Sequence, residues 1–326
     1  MSVPAALLRL LAVMFVALAS PQAIAQSYPT QPIRLVVPAA PGGQADAIAR
    51  LCAQRLGEIL GQPVVMLHHG GAGGTIGADI VAKAPADGYT LLLGGSNNLA
   101  LAVALRPDLP YDPARDFTAI GAVARVAYGL AVNPKLPVRN VTELVAHARA
   151  NPGRLNYGSS GVASTSSLGA EMFKSAVGVD IVHVPYGGSA PAVAALVAGQ
   201  VDIMFADLSL LLPQSRTGAL NLLAAAGASR SASAPDLPTV GEQGIHGFDL
   251  DAWYGIVAPA GAPADAVARL RDAVAWMMRT PEFRQRLLRQ GYDPIDGDAK
   301  ALDALIRSGI AKYAELVKRA NIKAAP

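Results

Sequence analysis

The sequence predicts an α/β fold of mostly parallel sheets flanked by helices. Short β-leaning apolar segments alternate with Gly-rich turns and helical apolar periods along most of the chain. That series runs twice, from Ile33 and again from Val141. Two longer β-leaning segments, 117–132 and 249–258, lie where the chain would pass from one series to the other. At 326 residues and 52% hydrophobic content there is material for a large core and two domains.

The N-terminus reads as an export signal. Met1–Arg9 is short and weakly basic, and Leu10–Ala19 is an apolar run of signal length. Ala23-Ile24-Ala25 is an A-x-A cleavage pattern, so residues 1–25 are expected to leave and Gln26 to begin the mature chain. No cysteine lies near that point, which excludes an N-terminal lipoprotein. No apolar run after residue 30 is long enough to span a bilayer. The formal charge of +3 comes without a Lys/Arg cluster, so nucleic acid is not an expected partner. A single cysteine rules out an internal disulfide framework and a cysteine zinc site.

Ile33–Val37 is a buried strand candidate. Pro38 and Pro41 end its pairing, and Gly42-Gly43 turn the chain. Ile48, Leu51, Cys52, Leu56, Ile59 and Leu60 then share one helical face. A helix N-terminus after such a turn carries unpaired N–H groups and suits an anion, although any parallel α/β protein contains turns of this kind. Val64–His68 is a second strand, and Gly70–Gly77 a Gly-rich loop into a helix over 76–83. Tyr89–Leu93 is a third strand, with Gly94-Gly95-Ser96-Asn97-Asn98 at its C-terminal end, where ligands bind in such sheets. Residues 106–116, rich in Pro and charge, read as a surface connection.

The second series has a helix over Val141–Ala150 capped by Asn140, a strand Leu155–Gly158, and a loop over 158–167 with five serines and a threonine. Its hydroxyls and amides could hold a polar solute, or cap the helix over 168–177. Asp180–Pro185 is a strand ending in Tyr186-Gly187-Gly188-Ser189, Ala190–Ala198 a helix, Val201–Phe205 a strand leading to Asp207, and Leu220–Ala225 a further strand. Asp207 could accept a hydrogen bond from a ligand or form a turn. Trp253 and Tyr254 could wall a cleft or sit in the core. Helices follow near 264–278 and 281–290, and the tail 299–320 is an amphipathic helix.

Other chemistries find little support. Gly71, Gly73 and Gly77 form only a loosened dinucleotide fingerprint, without the acidic residue that the motif needs. His68 and His69 are adjacent and point apart on a strand, and His147, His183 and His246 are isolated, so no metal site is expected. Gly158-Ser159-Ser160-Gly161 lacks nucleophile-elbow spacing, which leaves a hydrolase built on Ser160 as a weak alternative.

Several separated motifs occur in order: Tyr28-Pro29-x-x-Pro32-Ile33-Arg34, Pro38-x-x-Pro41-Gly42-Gly43-x-x-Asp46, Ala84-x-x-Asp87-Gly88-Tyr89-Thr90-Leu91-Leu92, Val184-Pro185-Tyr186-x-Gly188, Gly199-Gln200-Val201-Asp202, and Pro235-Asp236-x-Pro238-Thr239-Val240-x-Glu242-x-Gly244. In this the chain resembles the solute receptors of tripartite tricarboxylate transporters, the TctC or Bug family. The resemblance implies a two-lobed, type II periplasmic-binding-protein-like fold with a ligand cleft between the lobes. Domain I is expected over 26–124 and 251–326, and domain II over 125–250. It implies a non-enzymatic periplasmic receptor, without cofactor, that closes on a small carboxylate and hands it to membrane permease subunits. A monomer is expected, and a sensing partner of the same fold is the alternative.

By the same resemblance, main-chain amides and ordered waters at Ala39, Ala40, Gly42, Gly43, Gly73, Gly74 and Thr75 hold one ligand carboxylate. Asp46 and Ser96 lie beside them. Ser159, Ser160, Ser164, Thr165, Tyr186, Gly188 and Asp207 face them from the second domain. The chain departs from the family pattern at Ala39-Ala40, at Gln44-Ala45 and at Ser167, which bears on the solute and not on the fold.

Overall fold

The computed structural model describes residues 28–162 and 164–319. The export signal and its cleavage point after Ala25 lie outside them.

The first series gives three parallel strands, β1 (Ile33–Val37), β2 (Val64–His68) and β3 (Thr90–Gly95), with β1 between the other two. α1 (Gln44–Leu60) and α2 (Thr75–Ala82) connect them. Ile48, Cys52 and Leu56 of α1 are fully buried against Ile33 and Leu35, as the 3.6-residue period demands. After β3 a wide π-type turn over Asn97–Leu101 leads into α3 (Ala102–Leu105).

β4 (Phe117–Val132) is the spine of the molecule. Its first half pairs antiparallel with β9 (Asp251–Pro259), which in turn joins β3, and with β10 (Tyr292–Pro294). Its second half pairs antiparallel with β7 (Ile203–Asp207) and β8 (Asn221–Ala225). Beyond β7 come β5 (Asn156–Ser159) and β6 (Val182–Pro185), both parallel to their neighbours. The strand order is therefore β2-β1-β3-β9-β4-β7-β5-β6. The alternating strands are parallel, as expected, and the crossing strands make the whole sheet mixed.

α4 (Val141–Ala150), α5 (Thr165–Val177), α6 (Ser189–Ala198) and α7 (Leu208–Arg216) cover the second half. Asn140 caps α4 by accepting the Glu143 amide proton at 2.8 Å. α7 is an addition to the sequence reading, which had no element there. Pro213 inside it and its polar Ser209 and Gln214 hide the helical period. α8 (Ala264–Arg279) and α9 (Pro281–Arg289) pack beside α1. α10 (Ala299–Arg319) lies on β4 and on the turn over Asn97–Leu101, and it also touches α5. Among the described residues no helix is long and apolar enough to cross a membrane.

Candidate functional site

Parallel strands place their C-terminal loops on one edge, so the loops after β1, β2 and β3 form a common wall. The Ala39-Ala40 turn packs against Gly70, where an added Cβ would stand 3.1 Å from the Ala39 carbonyl carbon and the Ala40 nitrogen. α1 starts at Gly43 and α2 at Gly74, and neither N-cap residue offers a side-chain hydrogen bond. No side chain closes either first turn, and apart from the Thr75 N–H, which donates to Ala72 O, these amides can serve an outside acceptor. Gly74 has φ +90°, and a Cβ there would lie 3.0 Å from the Pro38 carbonyl oxygen, so only glycine suits this close approach. Ala72 holds φ +49°, a strained value for a residue with a Cβ.

Asp46 is buried and spends both carboxylate oxygens inside this wall. One accepts from the Gly42 amide and from Arg50 Nε, each at 3.0 Å, and the other lies 2.7 Å from His68 Nε2. Burial raises its pKa, but the bonds from Gly42, His68 and Arg50 outweigh that and leave it below the usual carboxylate range. Asp46 therefore pins the 38–43 loop to the end of β2. Thr75 Oγ1 donates to Ala72 O at 3.0 Å and accepts from Arg106 Nη1 at 3.3 Å. Ser96 is buried where β3 enters the π-type turn.

The opposite wall differs in kind. Ser164 caps α5 in a reciprocal box with Ser167. Ser160 donates its amide to Ser166 Oγ at 2.8 Å, and Ser166 Oγ also meets Ser160 Oγ and Ser164 Oγ, each at 2.9 Å. The serine hydroxyls largely satisfy one another. Ser159 is fully buried, with Oγ 2.6 Å from His183 Nε2. His183 stacks on Tyr157 at 4.6 Å, and burial lowers its pKa. The next loop is tied in by Tyr186 N, which donates to Ser159 O at 2.9 Å. α6 starts at Gly188, φ +146°, again without a side-chain cap. Its first-turn amides remain open.

The two walls meet at the floor. Thr165 Oγ1 donates to Asn97 Oδ1 at 2.7 Å across the gap. Tyr128, from β4, interacts with Gln44 at the start of α1 and Thr165 at the start of α5. Asp207, beside Tyr128 in register, is 1% exposed. Neither of its carboxylate oxygens has a hydrogen-bond partner of good geometry. Burial pushes its pKa up to about 6, moderated by the Tyr128 hydroxyl and its own amide.

The sequence-predicted residues thus gather on one edge, but in different states. Gly42, Gly43, Gly73, Gly74 and Gly188 lie at helix starts. Ser159, Ser160, Ser164 and Thr165 hold internal bonds. His183 pairs with Ser159, whereas Ser160 bonds Ser166, which removes the geometry a Ser160 hydrolase would need. Trp253 and Tyr254 are buried, the former facing α10 near Gly309. Sequence reading named the Asn97 loop and Gln44 without giving them a role, and it missed Arg106 and Tyr128. Arg106 stood in a stretch read as surface, and Tyr128 inside an apolar strand. Among the described residues no group of His, Cys, Asp and Glu could hold a metal ion.

Comparison with known proteins defines the class. Residues 48–322 match the tripartite tricarboxylate transporter family receptor, TctC. The chain is 34% identical to protein BugT of Bordetella pertussis over 300 residues, covering 92% of each. It superposes on R. palustris Rpa4515 with adipate at TM-score 0.85 and 36% identity, covering 91% of this chain and 99% of that one. For MatC of Rhodopseudomonas palustris with bound malate the values are 0.80 and 33%, over 89% and 100%. The family and fold are those of a solute-binding receptor, not an enzyme. This chain belongs to the TctC/Bug family.

Proposed function

We propose that this receptor captures a small carboxylate between two lobes, residues 26–124 with 251–326 and residues 125–250, and delivers it to the permease subunits of a tripartite tricarboxylate transporter. The observation that carries the reading is the set of three helices, α1, α2 and α6, that start at glycine without a side-chain cap and open on one edge. Each start offers amide donors and a partial positive charge. Charge-assisted bonds of about 1.5–3 kcal/mol each reach micromolar binding, about −8 kcal/mol, with only a few contacts after association costs. Arg106, joined to Thr75 at 3.3 Å, adds positive charge at the start of α2. The adipate and malate in the two related structures are carboxylates of this kind.

Closure is expected about β4 and the return segment 249–258, with the Thr165–Asn97 bond as a latch of the closed form. The mature protein is placed in the periplasm after cleavage at Ala25, and works as a monomer. Thermal unfolding of mature protein with adipate, malate, citrate, aspartate or benzoate tests the reading. At least one acid should raise Tm in a concentration-dependent way. Stabilisation by neutral sugars alone would contradict it. Co-purification with a sensor ectodomain in place of a permease would assign the same closure to signalling.

A further inference from the structure

The floor of the cleft holds an excess of acceptors that the carboxylate reading leaves unexplained. Both oxygens of Asp207 and Oε1 of Gln44 are buried without a hydrogen-bond partner of good geometry, although the Tyr128 hydroxyl and the Asp207 amide act on the carboxylate. A buried acceptor left unpaired is costly, and a buried ionised carboxylate more so. The titratable groups that act on Asp207 are Tyr128 on β4, Tyr254 on β9 and Tyr292 on β10. None is cationic, and Tyr292 is itself engaged with Ser209 at the start of α7. The Tyr128 hydroxyl has one proton to give. The Thr165 hydroxyl gives its own to Asn97. Donors at the floor are therefore fewer than acceptors.

Position links this deficit to the site. Tyr128 interacts with Gln44 and Thr165, the first residues of α1 and α5, and Asp207 is its cross-strand partner. The acceptor-rich floor thus adjoins the start of α1, one of the uncapped helices. A ligand with a carboxylate at one end and a positively charged donor beside it would satisfy both. A protonated amine offers three donors and a full charge, whereas a hydroxyl offers one donor and none.

We propose that Asp207 is the specificity residue of the cleft and selects an amino carboxylate, its carboxylate on the glycine-capped helix starts and its ammonium on the Asp207 carboxylate. This rests on the carboxylate reading above. Burial raises the Asp207 carboxyl to about 6, and an ammonium beside it would offset that burial and favour the ionised form.

The test is calorimetric titration of mature protein at pH 7.5 with matched acids: aspartate, malate and succinate; glutamate and glutarate; 4-aminobutyrate and butyrate. In at least one set the amino member should bind roughly ten- to a hundredfold tighter than its counterparts. Asp207→Asn, which removes the charge at nearly constant shape, should collapse that ratio to within about threefold. Apo unfolding of the variant checks that the fold is kept, and the wild-type ratios decide the matter even if it is not. Equal or tighter binding of a plain or hydroxy acid overturns the assignment to Asp207 and leaves the carboxylate reading standing. An unchanged ratio in a folded Asp207→Asn protein also overturns it. Binding by none of the acids overturns the carboxylate reading, and this inference with it.

Discussion

The two walls of the cleft use similar residues to opposite ends. In the first, Gly43 and Gly74 start helices, and no side chain closes the first turn of α1 or α2. In the second, Ser164 and Ser167 close the start of α5 with a reciprocal box, and Ser166 absorbs the hydroxyls around it. A loop of serines looks like the better polar binding surface, yet its donors are already paired. A glycine start, which contributes nothing itself, leaves backbone N–H groups for an anion. On the proposed carboxylate reading, capacity to bind follows from what is left unsatisfied, not from how polar the residues are. The same contrast holds between the carboxylates, since Asp46 has three partners and Asp207 none of good geometry.

The largest expected effect comes from filling a glycine start. Gly43 has φ −91° and open space where a Cβ would go, so Gly43→Phe can fold. Its ring would cover the first amides of α1. Affinity for the best-binding acid should fall about a hundredfold or more, near 2.7 kcal/mol, while Tm stays close to wild type. Retained affinity measured by titration would show that α1 is not used.

The next effect is on stability and pH. The carboxyl of Asp207 is pushed up to about 6 by burial, above the value it takes when unfolded. The folded state therefore holds a proton that the unfolded chain has lost. Unfolding free energy of the unliganded protein should fall by about 2 kcal/mol as pH rises from 4 to 7, and Asp207→Asn should remove that fall. Asp46 has the opposite sign. Its pKa is lowered by its partners, so its contribution is present above the usual carboxylate range and is lost as pH drops through its folded value. Urea unfolding of Asp46→Asn and Asp207→Asn across pH 3–8 would separate the two.

Ser164→Ala removes a helix cap and should cost about 1 kcal/mol of stability, with affinity changed less than threefold. A larger loss of binding than in Gly43→Phe would reverse the comparison of the walls. The smallest effect belongs to the latch. Thr165→Val removes the hydroxyl bonded to Asn97 and should weaken binding by about 1 kcal/mol, seen by small-angle scattering as a larger open fraction at fixed ligand.

Periodicity carried much of this structure. The strands at β1, β3 and β7 and the helices α1, α4, α8 and α10 followed from apolar spacing and caps, because each buries a continuous face. The antiparallel joining of β9 to both β3 and β4 was not legible, since nothing local in Asp249–Ala258 encodes its partners. Glycine turns marked helix starts, but they could not reveal that Ser159 is buried on His183 or that Ser160 is held by Ser166. Tyr128 and Arg106 were hidden because their meaning depends on contacts 30 or more residues away, to Gln44 and Thr75.

The most direct test of the uncapped helix starts as a carboxylate clamp is titration of mature protein with its best-binding acid and with the corresponding amide. The amide keeps the size and most of the polarity but lacks the charge. Binding of the acid about a hundredfold tighter than the amide, lost in Gly43→Phe, is the expected result. Equal binding of acid and amide would contradict it.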